Sequence, residues 1–91
     1  MTKVKNVVGS SRFPVPFGYS SWLDYWEKQT GESATSCGRC GMFAAAEVGA
    51  HIQKADSTDK RYYITPLCRR CNQHTNEFYV TTQLVPVPSN L

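Results

Sequence analysis

From Val48 to Gln53 apolar and polar residues alternate, with Val48, Ala50 and Ile52 on one side and Gly49, His51 and Gln53 on the other. That is the period of a half-buried strand. The period returns from Arg61 to about Thr65, where Tyr62 and Ile64 share one face and Tyr63 and Thr65 the other. The polar run between them carries Asp56 and Asp59, residues suited to turns, so a β-hairpin is expected over about 46–66. A different period precedes it. Trp22, Tyr25, Trp26 and Gln29 recur at helical spacing. Ser20 or Ser21 can cap that helix, Asp24 completes a capping box with Ser21, and Gly31 ends it, which predicts a helix over about 21–30.

The flanks are less periodic. Lys3, Lys5 and Gly9-Ser10-Ser11 suggest that residues 1–12 form a mobile or loosely docked arm. Alternating prolines force Phe13 to Gly18 to run extended, packed on the domain through Phe13, Val15 and Phe17. After the hairpin, a polar stretch from Asn72 to Glu77 fits a second helix over about 68–78. Phe78-Tyr79-Val80 then joins the core, and residues 81–87 read as one more strand or extended arm, with Pro86 and Pro88 marking an edge. Residues 13–91 are expected to form one domain.

All four cysteines fall in two pairs, Cys37-Gly38-Arg39-Cys40 and Cys68-Arg69-Arg70-Cys71, separated by 27 residues. Each Cys-x-x-Cys turn can aim two sulfurs at one ion, and two such turns complete the tetrahedron of a closed zinc site. Gly38 and Gly41 suit the first turn, because a knuckle needs left-handed or close-approach backbone. The second pair opens a helix, where free N–H groups stabilise thiolates. Two disulfides would need an oxidising compartment, and the chain starts with no basic stretch, apolar run and cleavage site. A cytoplasmic protein with one structural Zn²⁺ on Cys37, Cys40, Cys68 and Cys71 is therefore expected. The aromatic face of the first helix is expected to pack on this metal module.

Size and charge refine that picture. At 91 residues the core is modest, and a metal would add stability. No stretch approaches the roughly 20 apolar residues of a membrane span, so no membrane role is expected. The formal charge of +3 assumes neutral cysteines. Four thiolates remove four units and Zn²⁺ restores two, leaving +1, so only local clustering, such as Arg61 with Arg69 and Arg70, would favour a polyanionic partner. The arginines within the pairs could also offset the charge of the site.

The residues Cys37-Gly-Arg-Cys40, Gly49-Ala50-His51-Ile52 and Pro66-Leu67-Cys68-Arg69-Arg70-Cys71-Asn72 resemble the treble-clef zinc domains, in particular the HNH and endonuclease VII-like group. Trp22 to Trp26, Val48 to His51, Tyr63 to Cys68 and Leu84 to Pro86 also resemble small bacterial and phage proteins that carry no assigned activity. The fold class this implies is a small α+β zinc-binding domain, a treble-clef-like ββα unit of knuckle, hairpin and helix, preceded by an aromatic helix.

For function the nuclease resemblance implies His51 as general base, with Asn72 and His74 near the position of a helix ligand for Mg²⁺ or Mn²⁺. Ala50 stands where that group commonly has an acid, and Tyr63 falls near the position of its orienting asparagine. A degenerate template favours a non-catalytic structural-zinc module that contacts DNA or RNA. A metal-dependent nuclease using His51 is the second expectation, and a protein-binding adaptor or small regulator the third. Read from packing alone, His51 is a strand histidine stacked against the helix, and His74 faces solvent.

Overall fold

The hairpin forms the middle of a five-stranded antiparallel sheet. The computed structural model describes residues 1–7 and 13–88. Elements run β1 (Thr2–Asn6), α1 (Trp22–Thr30), β2 (Val48–Lys54), β3 (Tyr63–Leu67), α2 (Arg69–Asn72), β4 (Phe78–Val80) and β5 (Val85–Pro86). The sheet order is β4-β1-β2-β3-β5, so the chain is a small α+β protein.

Alternation divides the sheet into two faces. Register pairs Ala50 with Thr65 and Ile52 with Tyr63, and Val4 with both Lys54 and Phe78. These residues share one face with Leu67 and Val80, and there Val4, Ala50, Ile52, Tyr63, Leu67, Phe78 and Val80 form a buried cluster with Cys37 and Cys71. His51 pairs with Ile64 on the other face, where Trp22, Tyr25 and Trp26 of α1 pack on Ile64 and Val85. The aromatic helix therefore covers the face opposite the cysteines, instead of packing on the cysteine module as expected. Gly49 explains how α1 lies so close: a Cβ there would come within 2.5 Å of the Leu23 amide nitrogen. Ser21 caps α1 by accepting from the Asp24 N–H, and Gly31 ends it in a left-handed conformation with φ of 73°.

Several expectations need correction. Residues 2–6 are not an arm but strand β1, held between β2 and β4, because Val4 is fully buried and its flanking lysines point the other way. Residues 8–12, the rest of that expected arm, lie outside the described residues. The second helix spans only Arg69–Asn72 and ends at Gln73. Phe78 and Val80 must reach one buried face at alternate positions, which a strand permits and a continuing helix does not. Asn6 holds the chain end of that helix by donating from Nδ2 to the carbonyls of Cys71 (3.2 Å) and His74 (2.8 Å). Of the three side chains expected to pack in the 13–18 stretch, Phe13 stacks on Tyr62 at 5.6 Å, whereas Val15 and Phe17 are exposed. The second hairpin strand begins at Tyr63 and runs to Leu67.

At the sheet edge, Val85 and Pro86 pair with Ile64 and Tyr63. Trp26 Nε1 donates to the Gln83 carbonyl at 2.8 Å, tying α1 to the segment that leads into β5. Buried Thr65 is satisfied by Thr82 Oγ1 and the Gln83 carbonyl. No described helix is long and apolar enough to cross a membrane.

Candidate metal centre

Two turns, one before β2 and one after β3, bring the cysteines together at the open end of the hairpin. The first is the loop after Ser36, in which the Gly41 N–H bonds the Cys37 carbonyl at 2.9 Å and the Cys37 N–H bonds the Met42 carbonyl at 3.3 Å. Gly41 has φ of 72°, a left-handed conformation glycine adopts without a steric penalty. Gly38 serves close approach instead. Its N–H donates to the Pro66 carbonyl at 2.8 Å, and a Cβ would lie 2.2 Å from Thr82 Oγ1. The second turn is α2, whose N-cap is Cys68 itself, its sulfur accepting from the Cys71 N–H at 3.5 Å.

The sulfurs of Cys37, Cys40, Cys68 and Cys71 all lie within 4.8 Å of one another, and all four cysteines are free. A tetrahedral thiolate site with metal–sulfur bonds of about 2.3 Å places its sulfurs about 3.8 Å apart, so a small contraction would seat the ion. The donor set suits a borderline-soft metal, and no other cluster of three or more such ligands occurs among the described residues. Cys37 and Cys71 are buried against the core, while Cys40 is exposed.

Protonation in this cluster is uneven. Burial pushes the Cys37 thiol up, but the backbone N–H groups of Cys40, Cys68 and Arg39 converge on its sulfur and bring it down to about 6. Burial pushes Cys71 up to about 12, aided by the neighbouring Cys68 and Cys37. The opposed shifts describe one coupled group in which the first thiolate forms readily and the next is resisted. A dication reverses that resistance by stabilising all four thiolates. Arg39 contributes to the same balance, donating from Nη1 to Cys71 Sγ at 3.8 Å while its guanidinium lies over the Phe78 ring.

The other arginines behave differently. Arg69 pairs with Glu47 at 3.7 Å, and Glu47 also accepts the Arg69 backbone N–H. Arg61 is at the opposite end of β3, bound to Asp59 and Tyr63, so it does not cluster with Arg69 and Arg70. Asp59 also accepts the Tyr63 hydroxyl and closes the hairpin as a charged lock. Sequence spacing gave no sign of this arrangement beyond the turn-forming character of the aspartates.

The remaining candidate residues do not converge. His51 is 4% exposed and lies on the α1 face, with Trp22 and Phe13 packed edge-on at centroid distances of 4.7 and 5.0 Å. Its Nε2 has no hydrogen-bond partner among the described residues, and burial lowers its pKa to about 4. His74 follows the end of α2, not within a helix, and packs edge-on against Phe78 on the cysteine face. Asn72 is the last residue of α2, its N–H bonded to the Cys68 carbonyl. His51 and His74 thus occupy opposite faces of the sheet.

No protein-family model, curated protein or solved structure matches the chain.

Proposed function

We propose that this chain is a non-catalytic module of treble-clef type, whose knuckle and short helix are clamped by one structural Zn²⁺. The observation that carries the reading is the meeting of four sulfurs from two sequence-distant turns. A site filled by four protein ligands leaves no open position for substrate or water, which is the signature of structural rather than catalytic zinc. The metal would stabilise the fold directly, because it binds the assembled site and not the separated turns. It would fix the hairpin ends against the 81–82 segment, where the Thr81 N–H already bonds the Gly38 carbonyl at 3.0 Å.

Two further features support a binding role over hydrolysis. A general base needs access to the water it activates and a pKa near the working pH, and His51 offers neither, being buried under Trp22 and Phe13. Asp56 is taken up by Lys3 and Asp59 by Arg61, Tyr63 and Lys54.

The test is metal analysis together with metal removal. One zinc per chain is expected, and a chelator should abolish the cooperative unfolding transition, with zinc restoring it. A chain that binds no stoichiometric metal, or that folds unchanged after chelation, overturns the proposal. Nicking of plasmid with Mg²⁺ or Mn²⁺ that disappears on His51→Ala would replace the non-catalytic reading with a nuclease.

A further inference from the structure

The layer that α1 lays on the sheet stops one rung short of the hairpin loop. Trp22, Tyr25 and Trp26 cover Ile64 and Val85. The ladder that joins Ile52 to Tyr63 and Tyr63 to Pro86 carries on to Gln53, Tyr62 and Val87, where the Val87 N–H bonds the Tyr62 carbonyl at 2.9 Å. Alternation puts these three side chains on the same face as His51 and Ile64. They line a cavity of about 380 Å³, a volume within the usual span of small-ligand pockets. The cavity shares no residue with the cysteine turns, which lie on the opposite face.

Its apolar wall is already in place. Phe13 stacks on Tyr62 with 17° between the ring planes and meets His51 edge-on, and its carbonyl accepts from Trp22 Nε1 at 3.3 Å. Pro14 and Pro88 add two further rings of restricted backbone. Little conformational freedom therefore has to be lost when a ligand enters.

Polarity at the rim is one-sided. Lys60 and Arg61 line it and no carboxylate does. Arg61 is held by Asp59, whereas Lys60 has no ion pair among the described residues. Gln53 donates from Nε2 to the Lys60 carbonyl at 2.8 Å, which fixes the lysine backbone against the floor. Lys5, paired with Gln53 across the ladder and on the same face, also lacks an ion pair among the described residues and adds positive potential.

We infer that this cavity binds a small molecule with a flat aromatic ring and one carboxylate. The ring lies against Tyr62, Val87 and the Phe13 wall, and the carboxylate meets the Lys60 ammonium. A carboxylate suits the lining better than a phosphate, because one unpaired cation lines the cavity and no helix N-terminus does. A nucleic-acid strand would need a track of cations, which two unpaired lysines do not supply.

NMR spectra of the full chain, recorded as indole-3-acetate is added, test this, with indole-3-acetamide as the uncharged counterpart and dT12 in parallel. At the binding efficiency usual for small ligands, the acid should show a Kd of about 1 mM, with saturating shifts at Gln53, Tyr62 and Val87. The amide should bind about fivefold more weakly, the scale of one favourable exposed ion pair. Lys60→Gln should erase that difference and leave the affinity for the amide unchanged. Val87→Trp, which fills the floor, should remove both ligands, and the rest of its spectrum reports whether it is folded. Four results overturn the inference: no saturation at these residues at tenfold that concentration, equal affinity for acid and amide, an acid–amide difference that survives Lys60→Gln, or dT12 that shifts the same residues at lower concentration than the acid.

Discussion

Acid should loosen this protein through His51 before it protonates most carboxylates. The ring is buried between Trp22 and Phe13, its Nε2 has no partner among the described residues, and its pKa falls to about 4. An unfolded chain returns it to about 6.5. Between those values the unfolded state binds more protons, so the contribution to stability is intact above about pH 6.5 and is lost as pH falls toward 4. A shift of about 2.5 units corresponds to about 3 kcal/mol in full, of which about 2 kcal/mol should be gone by pH 5. Against a typical domain stability of about 5–15 kcal/mol that is a large share. Cysteine protonation also weakens the fold in acid, so the measurement must be a difference. Urea unfolding of wild type and His51→Leu, at matched zinc from pH 7.5 to 5, isolates the histidine because both proteins share the same four cysteines. The variant should lose about 2 kcal/mol less over this range, and the imidazole resonance of His51 should titrate near 4. Parallel stability profiles, or a midpoint near 6.5, would refute the burial argument.

Two other substitutions probe the supports of the sheet. Gly49→Ala would place a Cβ 2.5 Å from the Leu23 nitrogen and 2.6 Å from the Trp22 carbonyl carbon. Neither backbone atom can move without shifting α1, so a loss of about 1–3 kcal/mol in chemical unfolding is expected; a change under about 0.5 kcal/mol would mean the helix is not seated there. Asn6→Ala would release the carbonyls of Cys71 and His74. Because outer partners orient metal ligands, competition with a chromogenic chelator should show zinc affinity about tenfold lower, and unchanged affinity would make Asn6 a fold element only.

What was legible in the sequence tracks how local its physics is. The capping box at Ser21 and Asp24, the stop at Gly31 and the helical spacing of Trp22, Tyr25 and Trp26 act within a few residues, and α1 lies at Trp22–Thr30 as expected. Alternation likewise located β2, and the two Cys-x-x-Cys turns announced the sulfur cluster. What sequence reading missed depends on distant partners. Strand β1 has one buried apolar side chain, Val4, too few to show a period, and becomes a strand because β2 and β4 supply ladders on both sides. Residues 72–77 are polar and lack a strong stop, so the sequence predicts too long a second helix, whose actual end is set by Asn6 from 65 residues away. Which sheet face α1 covers could not be read from its own periodicity, which marks an apolar stripe without naming its target.

Within Gly49-Ala50-His51-Ile52, the strand residues compared above with the nuclease group, Gly49, Ala50 and His51 each have a packing account. Gly49 admits the backbone of α1. Ala50, 3% exposed, faces the cysteine side and keeps β2 within reach of Cys37 and Cys71 in one cluster. His51 fills the space between Trp22 and Phe13 on the other side. A strand buried on both faces is read by two neighbours at once, and alternate positions answer to a helix and to a cysteine turn. The same sequence string is therefore open to a packing explanation as well as a catalytic one. Separating those requires the histidine to be judged by access and not by its place in the string, and access to His51 depends on Phe13 and Trp22 leaving it.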